Sequence, residues 1–264
     1  MDPHAAIPSL IGVIHLAPLP GSPRFGGSLA EVADAAAADA AVLADTGFDG
    51  MIVENLGDLP LSPDPVEPPT VAAMTRCALA AKQQAPDLVM GINVLRNDAE
   101  AALAIALAAE ARMVRINVHT GARLTDQGII QGQAHATLRR RRTLGLEQVA
   151  LLCDVAVKHS TALAPRPIDQ EAIETVQRGL ADAVLVTGAG TGLPTRSADL
   201  AAVRNAVQVP VLVASGVTAE SVDQISAAHG VIVGSCLRRS GKAGDRIDVE
   251  AAARFAAAFH ASRG

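Results

Sequence analysis

The sequence predicts an α/β fold built as a single (β/α)8 barrel, and three observations carry that prediction. Eight short apolar, often β-branched runs recur along the 264 residues. Ala-rich segments of helical character separate them. The chain also has the length of about 250 residues that such a barrel uses. A parallel strand needs a crossover helix to reach its neighbour, so strand and helix alternating eight times imply a parallel sheet closed on itself. A doubly wound open sheet is the competitor. The count of eight, the even spacing and the lack of GxGxxG after the first strand speak against it.

In chain order the strands are read at IGVIHL (11–16), GMIVEN (50–55), VMGINVL (89–95) and MVRINV (113–118). VALLCDV (149–155), AVLVTG (183–188), PVLVAS (210–215) and GVIVGS (230–235) complete the set. Between them SLAEVADAAAADAAVLADTG, NDAEAALAIALAAEA and TAESVDQISAAHG are rich in helix formers and opened by Ser, Asn or Thr as N-caps. DLPLSPDPVEPP (58–69) reads as a long loop after the second strand, and HTGARLTDQGIIQG (119–132) as a long loop that closes over the barrel mouth. No linker interrupts the pattern, so residues 1–264 form one domain.

Composition narrows the function. Half the residues are hydrophobic and 19% are charged, enough apolar surface for a sizeable core and too much for disorder. The net charge of −5 and the absence of Trp and Tyr leave little to stack on bases, so nucleic acid is not an expected partner. Arg139 to Arg142 form the one basic run, read first as the solvated face of a helix. Cys77, Cys153 and Cys236 are odd in number and far apart, which argues against disulfides or a structural zinc site. MDPHAAIPSL lacks the features of a signal peptide, and charges interrupt every stretch long enough to span a bilayer. A cytoplasmic chain without a transmembrane segment is expected, with peripheral membrane contact left open and a homo-oligomer as its assembly.

In (β/α)8 barrels the active site forms at the C-terminal strand ends. Polar residues fall there on nearly every strand: His15, then Glu54 with Asn55, Asn93 with Arg96 and Asn97, and Arg115 with Asn117. Asp154 with Lys158 and His159, Thr187, Ser215 and Ser235 follow. Any one of them has an ordinary reading as a rim salt bridge or cap; the set points to a ligand. Alternation places Asp154 on the face of Leu152, hence inward, and an extended chain would put Lys158 on that face too. Glycines follow the last two strands, in VLVASGVTAES and VIVGSCLRR, where barrels of this kind bind phosphate on backbone N–H groups. Gly216, Val217, Gly234 and Ser235 are the candidates, with Gly188 in TGAGTGLP (187–194) and Asp126 in the covering loop as further contacts. TGAGTGLP is no Walker A loop, because GK[ST] does not follow.

Eight stretches together resemble the BtpA/SgcQ family: IGVIHLAPLPGSPRFGGS, GFDGMIVENLGD, GINVLRNDAEAALAIA, VRINVHTGARLTDQGIIQG, LLCDVAVKHS, GLADAVLVTGAGTG, VLVASGVTAESV and VIVGSCLRRSGK. The resemblance runs from about residue 10 to about residue 250 on the span of these strings. It implies a barrel of the ribulose-phosphate-binding type and a family named for a role in photosystem I biogenesis.

The chemistry expected is acid–base catalysis at Glu54 and Asp154, with Lys158, His15 and His159 beside them. The substrate would be a phosphorylated sugar or nucleotide-sugar metabolite, and the reaction an isomerisation, epimerisation, lyase or glycosidic-bond cleavage. Asn55, Asn93, Arg96, Asn97, Arg115, Asn117, Asp126 and Thr187 are the expected substrate contacts. A divalent metal on Glu54 and Asp154 is the alternative, although no HExxH, EF-hand or CxxC spacing supports it. Lys158 as a Schiff-base nucleophile ranks lower, because an adjacent Asp154 raises a lysine pKa. Asp154→Asn is expected to keep the fold and abolish turnover. An assembly factor without catalysis and a phosphate-ligand sensor are the two readings from other classes.

Overall fold

The structure, a computed structural model, describes residues 7–188 and 195–263. Eight parallel strands close the barrel: β1 (Leu10–His15), β2 (Gly50–Glu54), β3 (Val89–Asn93), β4 (Met113–Ile116), β7 (Ala150–Val155), β9 (Ala183–Val186), β10 (Val211–Ala214) and β11 (Gly230–Val233). They lie in that order, with β11 returning to β1. The outer helices are α1 (Leu29–Asp45), α2 (Pro68–Gln84), α3 (Ala99–Ala108), α4 (Ala134–Thr143), α5 (Ile168–Gln177), α6 (Ser197–Ala206) and α7 (Val249–Ala261).

Period 2 sorts each strand into two cores. Ile11, Val13, Ile52, Met113, Leu152, Leu185, Leu212 and Ile232 fill the barrel, while Leu10, Ile14, Met51, Val53, Met90 and Val114 face the helices. The same alternation carried one step past the inner layer delivers His15, Glu54, Arg115 and Asp154 to the mouth. Helix starts follow the expected chemistry: Ser28 accepts from the Glu31 N–H at 3.2 Å, Asp98 from Ala101 at 2.9 Å and Asp248 from Ala251 at 2.9 Å. A Cβ on Gly12 would lie 2.3 Å from Cδ2 of the fully buried Leu43, so the glycine is what lets α1 lie directly on β1.

Two expectations are corrected. The segment after the fourth strand is not an irregular loop: β5 (Ala122–Thr125) and β6 (Gly128–Gln131) form a hairpin, and β8 (Ser160–Ala162) joins it as a three-stranded antiparallel sheet. ARLT and GIIQ have strand composition on either side of a turn at Asp126–Gln127, which is why they pair. The helix expected in TAESVDQISAAHG is only a 3₁₀ turn at Val222–Ile225. Among the described residues seven α-helices therefore serve eight strands.

The arginine run is only partly a solvated face. Arg141 Nη1 donates to Asp182 Oδ2 at 2.5 Å, Asp182 accepts the Leu151 N–H at 2.8 Å, and Arg140 pairs with Glu100 at 3.3 Å. Arg139 and Arg142 are exposed. Cys77, Cys153 and Cys236 are free thiols, the first two buried. Among the described residues no helix is long and apolar enough to cross a membrane.

Candidate active site

The C-terminal ends of the strands enclose a cavity of about 550 Å³, the size of a small-metabolite site. His15, Glu54, Arg96, Arg115, Asn117, Lys158 and His159 line it, together with Asp126 and Gln127 at the tip of the β5–β6 hairpin. On the opposite side it is lined by Ser215, Gly216 and Val217 after β10 and by Gly234, Ser235 and Cys236 after β11. Leu56, Leu59, Leu61 and Leu95 supply an apolar wall. The Pro-rich loop after β2 is thus part of the site.

His15 ends β1 and stands in register with Glu54 at the end of β2. Its Nδ1 accepts the Gly244 N–H at 3.2 Å, so in the neutral ring Nε2 carries the proton. That nitrogen lies 3.6 Å from Glu54 Oε1, too far for a direct hydrogen bond. Burial, reinforced by Arg238, Lys158 and Arg115, holds the His15 pKa well below its ordinary value. The pair is a neutral imidazole donor facing a carboxyl group, a competent arrangement for moving a proton on a bound ligand. A Cβ on Gly234 would sit 2.9 Å from His15 Cε1, so this glycine gives the ring its seat.

Asp154 lies inward as alternation predicts, but it does not line the cavity. Arg115 Nη2 donates to both its carboxylate oxygens at 3.2 Å, and Asn117 Nδ2 donates to Oδ2 at 2.6 Å. Its side chain is fully enclosed. Asn93 supports the same layer from below, donating to the Arg115 carbonyl at 3.1 Å and to Asn117 Oδ1 at 3.2 Å. Asp154 is the counter-ion of a buried arginine, which gives this carboxylate a structural role beside the catalytic one expected of it. A divalent ion on Glu54 and Asp154 does not fit either, since Asp154 is taken up by Arg115 and Asn117. Among the described residues no group of three or more His, Cys, Asp or Glu side chains comes together as a metal site.

Lys158 reaches the cavity by a route other than the one expected. The strand does not stay extended, because β7 ends at Val155 and Ala156 turns with φ 50. Burial, with Arg115 next, lowers the Lys158 pKa although Glu54 and Asp154 oppose the shift. The sign expected from Asp154 alone is thus reversed. His159 is exposed, and burial is the first of the causes that lower its pKa.

Several expected contacts serve the frame instead. Asn55 accepts the Leu95 N–H at 2.7 Å and donates to Asp58 at 3.1 Å. Asn97 brackets Val118 through bonds of 2.8 and 2.7 Å. Thr187 donates to the Ala156 carbonyl at 3.4 Å, and neither it nor Gly188 lines the cavity. The rest of TGAGTGLP, residues 189–194, lies outside the described residues. Arg238 escaped the sequence reading. Buried to 3% exposure, it donates to the carbonyls of Val13 at 2.8 Å, Asp245 at 3.0 Å and Gly234, tying β1 to the last loop.

The β10 and β11 loops carry the features of an anion cradle. Ser215 and Gly216 are consecutive residues with φ 110 and 73, and a serine held there stores roughly 1–3 kcal/mol of strain. Among the described residues the N–H groups of Gly216, Val217 and Ser235 donate no hydrogen bond to protein. Unpaired N–H groups on residues that line a cavity suit a bound anion.

Two buried histidines make stability fall with acid. His15 and His119 both titrate below 6.5 in the fold, burial being the first cause for each. Between the folded value and 6.5 the unfolded chain binds more protons, so stability is full above 6.5 and declines as pH falls through that window. The slope is up to about 1.4 kcal/mol per pH unit for each histidine. Urea midpoints at about pH 7.5 and about pH 5.5 check this, and His15→Gln should reduce the decline. Stability that rose on acidification would contradict it.

A model of the BtpA family matches residues 7–261. The chain is 45% identical to the photosystem I biogenesis protein BtpA of Synechocystis over 90% of its own length and 83% of that protein. It is 40% identical to an uncharacterized protein of Thermococcus kodakarensis, covering 93% of each chain. Among solved structures, thiamine phosphate pyrophosphorylase from Pyrococcus furiosus superposes with a TM-score of 0.58 at 14% identity, covering 97% of both chains. That likeness is one of fold, and the barrel is the TIM barrel.

Proposed function

Since the chain belongs to the BtpA family along nearly its whole length, we propose that it is an enzyme acting by acid–base chemistry on a phosphorylated sugar or nucleotide-sugar metabolite. One observation carries this: a single cavity brings the His15–Glu54 pair and the cations Arg115 and Lys158 to face the unpaired N–H groups of the β10 and β11 loops. The phosphate docks on those N–H groups. Glu54 takes a proton from the carbon or hydroxyl beside the reacting carbonyl, neutral His15 donates a hydrogen bond from Nε2, and Lys158 and Arg115 stabilise the negative charge that develops on oxygen. Asp154 acts through Arg115, fixing the guanidinium, and is a positioning residue.

The test is a thermal-shift screen of the purified protein against sugar phosphates, nucleotides and sugar nucleotides, followed by NMR of each stabilising compound. A ligand at about 100 times its Kd adds about 2.7 kcal/mol and raises Tm visibly. Conversion of one phosphorylated compound supports the enzyme. Binding without conversion would leave a phosphate-ligand sensor. The name of the Synechocystis relative favours a second reading, a noncatalytic assembly factor. Cross-strand neighbours Leu124 and Ile129 on the hairpin, 48% and 55% exposed, are a face such a factor could present. A screen in which nothing binds would select that reading.

A further inference from the structure

Arg96 is a buried charge on the wall of the cavity. It follows β3, is only 6% exposed, and lines the cavity, yet no carboxylate lies within ion-pair distance of it among the described residues. Nη2 donates to the Lys158 carbonyl at 3.1 Å, and its remaining side-chain donors have no protein acceptor among the described residues. Lys158, also on the cavity wall, has no hydrogen-bond or ion-pair partner for Nζ among the described residues. Arg115 is paired with Asp154, but its Nε is buried without an acceptor. Burial lowers the pKa of both Arg96 and Lys158, and the nearby carboxylates, Asp154 and Glu54 for both and Asp126 for Arg96, only partly offset it. A buried arginine with unfilled donors is expensive to keep, and it cannot escape by losing its proton.

The barrel fixes where this positive cluster stands. Counting round the closed sheet, β3 is four strands from β10 and β4 is four strands from β11, so Arg96 and Arg115 rise opposite the two N–H-lined loops. His15 and Glu54, on β1 and β2, lie along one side between these ends. We infer that the ligand of this cavity is bis-anionic, with a phosphate on the β10 and β11 loops and a second acidic group, carboxylate or phosphate, bound across the mouth by Arg96. Arginine at such a place offers a bidentate fork that matches either group. The reacting carbons would then lie between the two anchors, beside Glu54 and His15. The inference rests on the phosphate-site reading above and adds the second anchor to it.

Calorimetric titration with ribose 5-phosphate, ribulose 1,5-bisphosphate and 5-phosphoribonate tests it on the intact protein. The two bis-anionic compounds should bind roughly 10-fold or more tightly than ribose 5-phosphate, the worth of a charged hydrogen-bond pair. Arg96→Gln should erase that advantage while leaving the ribose 5-phosphate Kd within about 3-fold, and Arg96→Lys should restore part of it. Unchanged Tm in the variants guards against misfolding. Equal affinity for all three compounds, or an advantage that survives Arg96→Gln, would overturn the second anchor while leaving the phosphate site standing. No binding by any of the three would overturn both.

Discussion

Asp154→Ala is expected to destabilise the protein by about 3–5 kcal/mol, because it leaves the Arg115 guanidinium buried without a counter-ion. Arg115 is 5% exposed and the Asp154 side chain is fully enclosed, so water replaces the lost carboxylate only poorly. Asn117 and Asn93 would lose their layer as well, since Asn117 donates to Asp154 and Asn93 to Asn117. The urea midpoint reads the loss. The double variant Asp154→Leu with Arg115→Met should recover much of it, because replacing both charges with apolar groups is often neutral, whereas breaking the pair is not. A loss below about 1 kcal/mol for Asp154→Ala would mean that the pair is solvated rather than buried.

Glu54→Gln is expected to act on rate. The substitution preserves shape and removes the proton acceptor opposite His15 Nε2, so kcat should fall by about 10²–10⁴-fold on whichever phosphorylated compound the screen shows to be converted. KM should change little, because the phosphate anchor on the β10 and β11 loops is untouched. Equal activity in Glu54→Gln would remove Glu54 from the chemistry and pass the role of base to Lys158, whose lowered pKa suits it. The two carboxylates stand differently: Glu54 lines the cavity, and Asp154 holds an arginine that does.

The barrel was legible in the sequence because its signals are local. Eight apolar runs bounded by helix caps report strand number directly, and period 2 places Asp154 on the inward side. What alternation cannot report is how far past the strand end a side chain sits, or what its neighbours take from it. Asn55 and Asn97 are polar residues at strand ends like the others, but they close loops by bonding Leu95 and Val118. Asp154 looked like a free carboxylate because its partners, Arg115 and Asn117, come from a strand some forty residues away. Arg238 lay hidden in a basic pair after the last strand, and only its contact with the Val13 carbonyl, at the other end of the chain, shows its use. The hairpin at 122–131 could have been found: ARLT and GIIQ flank a short polar turn, a pattern outweighed by the glycines around it.

The most direct test of the central claim is a crystal structure of the protein grown with a sugar phosphate found in the screen. A phosphate group is expected within about 3 Å of the N–H groups of Gly216, Val217 and Ser235, with the sugar extending past His15 and Glu54 towards Arg96. A phosphate bound outside the barrel mouth, with those N–H groups left unpaired, would contradict it.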